Sequence, residues 1–518
     1  MPTEPTAKHN RLNAVDRLVA FFSPRQGLQR LHARNVLAAF APYEAAEPSR
    51  LRKHYRDGYS PNQLTEKSAP IIRAQARQLQ RNHDISRGIL RTMVNNIVGP
   101  NGVGVEPQPR RRDGSIHEEY AAALREMWRQ HSLKPEVTRR HTGAKVQRLM
   151  CSAWLRDGES FAQELIGNVP GLVHASGLPL SLEMFEADMV PYDYKEGDNT
   201  TQGIARNAWG QPVAYFVHKT HPSEGFTSGN NNLKRIPADR VHHVALLDRV
   251  GQMRGVSEFA SIITRLEDIK DYEESERIAA KIAAAVTGVI KRGAPEAYDG
   301  PLTDDSGKPI PRSFSMQPGM IIDNLVAGED LSILSSDRPN PNLVTYRQGQ
   351  LRAVAAGVGA SFSSVAKDYN GTFSAQRQEL VEQWVNYAVL CDEFSGQFVQ
   401  PWYASAVHVA NLSGVVRTPA DVMPGTADDC LFIAQSMPWI DPAKESAAYL
   451  ELVRAGFASE VEVMRKRGIN PRENMAQIKS WRDLTKEKDL VFNSNAAVPT
   501  NAGTANAADA TDPPPPAS

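Results

Sequence analysis

Six acidic residues lie within ten positions of one predicted helix and could, by type, ligate a metal ion. They are Glu267, Asp268, Asp271, Glu273, Glu274 and Glu276. A calcium or magnesium site needs several carboxylate oxygens that converge on one point. A helix instead turns by about 100° per residue and spreads these side chains over most of its circumference. Because basic residues also alternate with them, we interpret the cluster as a solvated helix surface.

The neighbouring pair His242 and His243 could bind zinc by type, but it ends a predicted strand. Adjacent strand residues point to opposite faces, so the two rings cannot easily share one metal ion. We therefore predict a structural role for both histidines. The basic run Arg110, Arg111 and Arg112 could contact phosphate or an acidic partner, and a solvated charge run is the simpler interpretation.

The sequence contains none of the common catalytic signatures. The patterns GxxxxGK(S/T), HExxH and GxSxG do not occur, and Gly102 and Gly104 lack the third glycine of a dinucleotide-binding loop. Cys151, Cys391 and Cys430 are far apart and follow no zinc-ligand spacing, which predicts neither a zinc site nor a disulfide framework and favours a reducing compartment. We predict no metal, no cofactor and no enzymatic activity.

The composition is that of an ordinary folded chain, with 41% hydrophobic and 23% charged residues among 518. No stretch approaches the roughly 18 apolar residues of a membrane span, and no secretory signal peptide is evident, so no membrane partner is expected. The 59 Lys+Arg balance 59 Asp+Glu, yet residues 1–160 hold 27 against 15. Two interpretations stay open: complementary faces within or between chains, or a nucleic-acid or scaffold contact made by the basic part.

The elements that must position these residues indicate an α+β fold. Apolar residues at helical spacing predict helices in the first third of the chain, at Leu12–Phe22, Ala69–Val98, Ile116–His131 and Ala144–Asp157. Alternating patterns between turn residues predict strands at Glu159–Ile166, Leu180–Glu186, Gly203–Arg206 and Pro212–His218. Residues 41–70 show no periodicity and are predicted to form an extended arm.

A single long helix is predicted from Ser257 to Lys291, where apolar residues recur at threes and fours. About 35 residues at 1.5 Å each would span roughly 50 Å, and a rod of that length usually packs against other helices. Residues 293–342 are punctuated by Pro and Gly, with strands predicted at Met320–Leu325 and Asp330–Leu334. This pattern indicates a small, separate β-rich subdomain.

Further helices are predicted at Leu343–Ala356 and from Ser374 to about Gln400, where Pro401 is expected to end the run. Residues 440–480 are typical of a short helical array, with Gly456 and Gly468 in helix-stop positions. Beyond about Asn493 the chain is rich in Ala, Asn, Thr and Pro, which predicts a disordered tail.

Several short motifs follow one another in a specific order. A pattern R-x-GQ-x-RG leads into the long helix and consists of Arg249, Gly251, Gln252, Arg254 and Gly255. "PG" and "GE" turns follow between Met316 and Glu329, then a proline pair at Pro339 and Pro341, then Phe373-Ser374-Ala375-Gln376-Arg377 and a DP-x-KE stretch formed by Asp441, Pro442, Lys444 and Glu445. Over roughly Ser68 to Lys479 this set resembles the lambda-type family of bacteriophage portal proteins. Phe373 and Gln376 depart from the family's Y-S-S-x-R pattern.

The resemblance implies a phage portal fold that assembles as a ring, normally of twelve copies, at one vertex of a tailed-phage capsid. Double-stranded DNA would enter through the ring during packaging and leave at infection. The implied partners are other copies of the chain, DNA, the terminase large subunit, a head–tail connector or adaptor protein, and the major capsid and scaffold proteins. The ring would initiate procapsid assembly in the host bacterial cytoplasm and remain in the virion, while ATP hydrolysis would belong to the terminase.

The family architecture also implies a division of the chain. It consists of an N-terminal arm at 1–67, a wing at 68–257, stem helix 1 at 258–291, a clip at 292–341, stem helix 2 at 342–357, a channel loop at 358–373, a wing helix at 374–419, a crown at 420–492 and the tail at 493–518.

Within that division, Arg352 and Lys367 are the predicted DNA-backbone contacts, and Asp368, Tyr369 and Asn370 form the predicted tip of the channel loop. An outward, structural placement of each remains an equal alternative. A neutral-to-acidic lumen would favour passage, because each neutralised phosphate adds affinity that retards DNA. The alternatives for function are a DNA-processing enzyme of the packaging machinery and a capsid-associated interaction protein that forms no ring.

Overall fold

The computed structural model describes residues 19, 21–39, 58–224, 232–284, 288–292, 305–308, 329–333, 340, 342–437 and 441–488. The chain divides into two compact units, residues 1–60 and residues 61–518. Most of the described part of the first unit is a helix, α1, at Pro24–Ala39. The helix predicted at Leu12–Phe22 lies largely outside the described residues, and its final pair, Phe21 and Phe22, is exposed.

The second unit begins with two helices, α2 (Pro61–Asn82) and α3 (Asp84–Ile97). The prediction of an extended arm is wrong for residues 61–70, which belong to α2. Pro61 can begin the helix because the N–H that proline lacks would have no partner within the helix at the first position. The single helix predicted over 69–98 is interrupted at His83, which has an extended backbone and a ring nitrogen 3.0 Å from the carbonyl oxygen of Leu266.

Two further helices, α4 (Glu118–His131) and α5 (Gly143–Asp157), confirm the predictions to within two residues. The Thr142 side chain accepts a hydrogen bond from the backbone N–H of Lys145 and so caps the start of α5. At the other end Gly158 adopts a φ of +88°, a left-handed conformation that stops the helix before the first strand of the central sheet.

Within the described residues the strands form four antiparallel sheets. The central sheet consists of β2 (Glu159–Ile166), β3 (Leu180–Phe185) and β8 (Val241–Ala245), in the order β3-β2-β8. A four-stranded meander consists of β4 (Thr200–Thr201), β5 (Ile204–Arg206), β6 (Pro212–His218) and β7 (Leu233–Pro237). Two pairs complete the set: β1 (Gly104–Pro107) with β11 (Cys430–Ile433), and β9 (Gly288–Arg292) with β10 (Glu329–Ile333). The four strands predicted between residues 159 and 218 are confirmed.

The long helix predicted over 257–291 is shorter in the structure. A 3-10 turn at Glu258–Ser261 precedes α6 (Ile263–Ala284), and Gly288–Arg292 forms strand β9. The prediction was wrong at this end because a short apolar run fits a strand as well as a helix, and only the partner strand decides between them. The strand predicted at Asp330–Leu334 is confirmed as β10, whereas Met320–Leu325 lies outside the described residues.

Four helices follow: α7 (Leu343–Gly357), α8 (Phe362–Ala366), α9 (Phe373–Phe394) and α10 (Gln400–Ser413). The prediction that Pro401 ends the helical run is wrong. A π-helical segment at Ser395–Val399 joins α9 to α10, and Pro401 lies in the first turn of α10. Pro is tolerated there because the first N–H groups of a helix have no intrahelical partner.

Three short helices end the described chain: α11 (Pro442–Arg454), α12 (Glu460–Lys466) and α13 (Pro471–Glu487). They confirm the helical array predicted over 440–480, and both glycines predicted as helix stops, Gly456 and Gly468, have positive φ. We call residues 441–488 the C-terminal segment and residues 61–437 the body.

Two hydrophobic clusters hold the body together. The larger lies between the helices and the central sheet, and its fully buried aromatic residues include Trp154, Phe394, Phe398 and Trp402. The smaller lies between the central sheet and the meander and includes Phe161, Tyr215 and Ile236. In the part of the chain that the structure describes, no helix is both long and apolar enough to cross a bilayer.

Candidate functional site

The loop between β8 and α6 carries the R-x-GQ-x-RG motif. Gly251 has a φ of +80°, and the Gln252 amide oxygen accepts hydrogen bonds from the backbone N–H groups of Asp248 at 3.3 Å and Arg249 at 3.2 Å. The Gln252 amide nitrogen donates to the Arg254 carbonyl oxygen at 2.9 Å. Gln252 therefore closes the loop on itself, while Arg249 is exposed on its outer side.

Arg254 lies at the centre of the motif and is completely buried. Its guanidinium donates to both carboxylate oxygens of Glu159 at 2.6–2.9 Å and to the carbonyl oxygen of Gln202 at 2.8 Å. The guanidinium also lies over the Tyr192 ring, 3.9 Å from its centroid. A two-pronged arginine–carboxylate pair fixes orientation as well as distance. It joins the start of β2 to the loop that precedes α6.

Glu159 collects four further polar contacts. The Tyr192 hydroxyl donates to it at 3.0 Å, the His243 ring lies at 3.1 Å, the Gly255 N–H lies at 3.3 Å, and Arg73 is 3.8 Å away. Burial by itself raises the pKa of a carboxyl group, but the charge of Arg254 and the contact with His243 hold the pKa of Glu159 well below its usual range. Glu159 is therefore a buried carboxylate anion.

The last glycine of the motif is required by a close approach of two backbone segments. A Cβ at Gly255 would lie 1.8 Å from the carbonyl oxygen of Gly158, and one at Gly158 would lie 2.4 Å from the Val256 carbonyl carbon. No side chain fits between these backbone segments, so the start of β2 and the loop before α6 can meet only at two glycines.

His242 and His243 point to opposite sides of β8, as the strand pattern predicts. The His242 ring lies 2.7 Å from Glu164 and packs edge-on against Phe398 in the larger cluster. The His243 ring lies 3.1 Å from Glu159 and stacks on Phe161 in the smaller cluster. Each histidine binds a carboxylate of strand β2, which supports the predicted structural role.

The two long helices beyond the motif, α6 and α7, pack against each other. Arg347 donates to Glu273 at 2.5 Å, Arg265 donates to Gln350 at 2.6 Å, and the rings of Tyr272 and Tyr346 meet edge to face. Because higher numbers on α6 pair with lower numbers on α7, the helices run antiparallel. In the predicted acidic cluster, Asp268, Asp271 and Glu274 are exposed, whereas Glu267 and Glu273 are half-buried and Glu276 is buried. The prediction of a solvated helix surface is therefore wrong for Glu276, because six residues spread around a helix cannot all avoid the side that packs.

The predicted channel-loop residues gather around the turn between α8 and α9. Lys367 ends α8 with a φ of +54° and is exposed, as are Tyr369 and Asn370. Asp368 accepts a hydrogen bond from the Asn370 N–H at 3.2 Å and is contacted by Gln348 of α7 at 3.4 Å.

Arg352 lies one turn further along α7 than Gln348, so it is on the same face of that helix. It is exposed, and its guanidinium lies 4.9 Å from the centre of the Phe362 ring. The two predicted basic residues thus belong to one unit formed by α7, α8 and the turn that follows.

The structure brings two of the motifs together. Arg377 of the F-S-A-Q-R stretch lies 3.5 Å from Glu445 of the DP-x-KE stretch, whereas Ser374 is exposed on the first turn of α9. Asp441 caps α11 by accepting the Lys444 N–H at 3.3 Å, and Pro442 occupies the first helical position. This DP-x-KE stretch is therefore a helix start whose glutamate contacts the body.

One further cluster of possible metal ligands was not predicted from the sequence. Glu186, Asp188 and His221 offer ligand atoms within 4.8 Å of one another. Arg77 already contacts Asp188 at 2.7 Å and Glu186 at 3.3 Å, and Arg73 contacts Asp188 at 3.2 Å. Two guanidinium groups at the carboxylates oppose a cation, so ion pairing accounts for the cluster.

Glu159 and Arg73 were also missed from the sequence, although each gave a signal. Arg73 lies within the buried stripe Ala69, Arg73, Ala76 of α2, and Glu159 begins a strand whose first four residues are all buried. A charge at a core position implies a buried partner, but the partner is distant in sequence and no local spacing identifies it.

Most of the sequence, including the motif-bearing loop, matches one protein family. Residues 47–390 match the family model described as phage portal protein, lambda family. The chain belongs to this family. The C-terminal segment lies beyond the matched range.

Two curated relatives carry names from the same class. A probable portal protein of Halomonas phage phiHAP-1 is 23% identical over 445 residues, which cover 82% of each chain. Portal protein B of Escherichia phage lambda is 21% identical over 313 residues, covering 55% of this chain and 59% of that protein.

Solved structures with a similar chain come from gene transfer agent (GTA) particles. One, the neck of an empty GTA particle computed with C6 symmetry, is 13% identical, covers 76% of this chain and 94% of that one, and gives a TM-score of 0.40. A second, the native neck computed with C12 symmetry, is 13% identical with the same coverage and a TM-score of 0.38.

Proposed function

We propose that this chain is the subunit of a ring-shaped portal at one capsid vertex of a tailed bacteriophage. The ring, of normally twelve copies, is the conduit for double-stranded DNA during packaging and ejection. It initiates procapsid assembly in the host cytoplasm, binds the terminase large subunit and a head–tail connector protein, and contacts the major capsid and scaffold proteins. The subunit itself carries no catalytic residues.

The observation that supports this proposal most is the antiparallel pair α6–α7, which continues into the paired strands β9 and β10. Within a chain of the portal family, the two helices correspond to the stem and the strand pair to the clip. We assign stem helix 1 to residues 258–284, which shortens the sequence-based boundary, and the clip to the chain between α6 and α7.

The remaining divisions follow the order of the elements. The central sheet, the meander and α2–α5 form the wing, α7 is stem helix 2, and the turn after α8 is the channel loop. The helices after β11 form the crown. Arg352 and Lys367 are the proposed transient contacts of the DNA backbone.

The acidic excess after residue 160 suits a conduit through which DNA slides. Residues 161–518 hold 32 Lys+Arg against 44 Asp+Glu, and exposed acidic residues such as Asp268 and Asp271 lie on α6. Phosphate contacts release counterions and add affinity, so a surface with few free cations leaves DNA mobile.

Native mass measurement of the purified full chain, combined with negative-stain imaging, tests the proposal. Twelve copies of 57.1 kDa give roughly 685 kDa. A hollow ring near that mass, or one subunit larger, supports the portal. A monomer or dimer that stays without a channel after the cognate scaffold and capsid proteins are added would contradict it.

A further inference from the structure

Two neighbouring connections of the body carry a strong excess of positive charge. Residues 132–145 run from α4 into the first turn of α5, and residues 167–179 join β2 to β3. The Arg139 guanidinium donates to the Val173 carbonyl oxygen and so holds the two connections together. Their four basic residues are Lys134, Arg139, Arg140 and Lys145, and their single acidic residue is Glu136. We call these two connections the basic loop surface.

The acidic residue is occupied by the backbone of its own loop. Glu136 is 2% exposed, and its carboxylate accepts hydrogen bonds from the backbone N–H groups of Arg140 at 2.6 Å and His141 at 3.0 Å. The four basic side chains are all exposed. Among the described residues, none of the four takes part in an ion pair. The surface therefore presents cations to solvent without a paired counterion.

Apolar side chains are exposed on the same surface. Leu133, which directly precedes Lys134, is 56% exposed, and Val173, whose carbonyl oxygen binds Arg139, is 68% exposed. Burial of such side chains against a partner is favourable in proportion to the apolar area removed from water. The basic loop surface thus combines two kinds of contact, one electrostatic and one apolar.

Arg139 is held in an unfavourable backbone conformation. Its φ is +60°, in the left-handed region that residues with a Cβ rarely adopt. The Arg139 N–H donates to the Glu136 carbonyl oxygen at 3.1 Å, and the Thr138 hydroxyl donates to the Glu136 carboxylate at 2.7 Å. Contacts on both sides of Arg139 therefore fix the loop. Strain that the surrounding contacts maintain in this way is concentrated at functional positions.

The two kinds of contact identify the kind of partner. DNA binds basic surfaces through its phosphates, which gives no role to the exposed side chains of Leu133 and Val173. Interfaces between proteins instead combine apolar side chains with charged groups at their edge. Opposite charge across such an interface steers the encounter and fixes its register. A polypeptide with both carboxylates and apolar side chains matches this surface better than a nucleic acid does.

We infer that the basic loop surface binds an acidic polypeptide segment that also carries apolar side chains. Carboxylates of the segment pair with Lys134, Arg140 and Lys145, and its apolar side chains cover Leu133 and Val173. The inference goes beyond the proposed function, because every group that it uses belongs to one chain and the contact does not depend on how many copies assemble.

Fluorescence anisotropy of a labelled peptide composed of glutamate and leucine, mixed with the purified full chain, tests the inference. We expect saturable binding that weakens as the salt concentration rises, because exposed ion pairs are screened by salt. A peptide with lysine in place of glutamate should not bind. Polyglutamate, which has no apolar side chains, should bind at least about fivefold more weakly.

Substitutions separate the two kinds of contact. Lys134→Glu with Arg140→Glu should weaken binding of the glutamate–leucine peptide at least about tenfold, because attraction becomes repulsion. Arg87→Glu with Arg91→Glu is the matched control, since both arginines are exposed on α3 and form no described ion pair. It should leave the affinity within about twofold. Val173→Ser should weaken binding of the glutamate–leucine peptide and leave that of polyglutamate unchanged. An unchanged thermal midpoint shows that a variant has folded.

Each contrary result has a distinct meaning. Absence of peptide binding, or an equal loss in the Arg87 and Arg91 control, overturns the inference. Polyglutamate that binds as tightly as the mixed peptide overturns the apolar part of the contact. A double-stranded DNA fragment that loses as much affinity as the peptide in the Lys134 and Arg140 variant overturns a polypeptide as the partner. A hollow ring that does not bind the peptide removes this inference alone, and peptide binding by a chain that forms no ring contradicts the portal alone.

Discussion

Arg254 and Glu159 place opposite charges where neither side chain reaches solvent. Removing two charges from water is unfavourable, and their attraction compensates only when nearly every donor and acceptor is used. Here Glu159 is contacted by Arg254, Tyr192 and His243, and Arg254 also reaches backbone carbonyls. The pair is therefore sensitive to the loss of either partner, because the other charge would remain buried and alone.

Glu159→Gln should lower the free energy of unfolding by about 3–5 kcal/mol, since it leaves the Arg254 charge without its counterion. Denaturant unfolding measures the change. Glu183→Gln is the matched control, because Glu183 of β3 pairs with Lys234 of β7 at 3.1 Å but both side chains are about one-third exposed. The control should change stability by less than about 1 kcal/mol. Equal effects of the two substitutions would contradict a special role for the buried pair.

His131 provides a pH-dependent contribution. The Trp402 ring N–H donates to its Nε2 at 3.2 Å, so this nitrogen must stay unprotonated, and its Nδ1 faces the Ser176 hydroxyl at 2.9 Å. Burial, with a smaller effect of His174, lowers the pKa of His131 from 6.5 to about 4. The unfolded chain therefore binds a proton at a higher pH than the folded chain, and acid favours unfolding.

Stability from His131 should be fully present above pH 6.5 and should be lost as the pH falls toward 4, by about 3 kcal/mol over that window. His131→Gln keeps an acceptor for Trp402 and should remove this loss. Its unfolding free energy should therefore fall by about 3 kcal/mol less than that of the parent chain between pH 6.5 and pH 4. His408→Gln, an exposed histidine on α10, is the control and should follow the parent chain. Parallel slopes for the parent and His131→Gln would show that His131 does not titrate on unfolding.

At the scale of elements, the junction between β2 and the loop before α6 depends on two glycines. The approach of Gly255 to the Gly158 carbonyl leaves no space for a Cβ, and Gly158 has a left-handed backbone as well. The junction connects the central sheet to α6, so it determines where the helix pair α6–α7 leaves the body.

Gly255→Ala should destabilise the chain by about 3 kcal/mol or more, because either backbone segment must move. Gly396→Ala is the matched control: Gly396 lies in the π-helical segment with nothing within 4 Å of an added Cβ. The control should change the thermal midpoint little, or raise it by the equivalent of less than about 1 kcal/mol. Tolerance of Gly255→Ala would mean that the junction is looser than its geometry indicates.

At the scale of the whole molecule, the proposed channel contacts can be separated from folding and assembly. Arg352 and Lys367 are exposed, and no described ion pair depends on them. Removing them should leave the mass of the assembly unchanged while altering its interaction with DNA.

Arg352→Ala with Lys367→Ala should reduce the salt dependence of DNA binding, lowering the slope of log K against log salt by about one for each lost phosphate contact. Binding of the assembled ring to a double-stranded fragment at several salt concentrations measures this. Lys134→Ala with Arg140→Ala removes two exposed charges from the body and is the control. An unchanged slope for the first pair, or an equal change for the control, would contradict channel contacts at Arg352 and Lys367.

Local pattern was sufficient wherever local geometry decided the structure. Alternation of side chains predicted β2 and β6, helical spacing predicted α4 and α5, and the positive φ of Gly456 and Gly468 follows from their helix-stop positions. The opposite directions of His242 and His243 follow from the same alternation. The ordered motifs, with Arg254 and Gly255 among them, were also sufficient to indicate the family.

Only the tertiary structure decided features that depend on contacts distant in sequence. Residues 288–292 form a strand because residues 329–333 lie beside them, and the helical run continues past Pro401 because a π-helical segment precedes it. Glu159 pairs with Arg254, which is 95 positions away in the chain, and hydrophobic periodicity does not predict such a pair. Short-range propensities set the backbone of each element, whereas the burial of a charge depends on which elements the fold brings together.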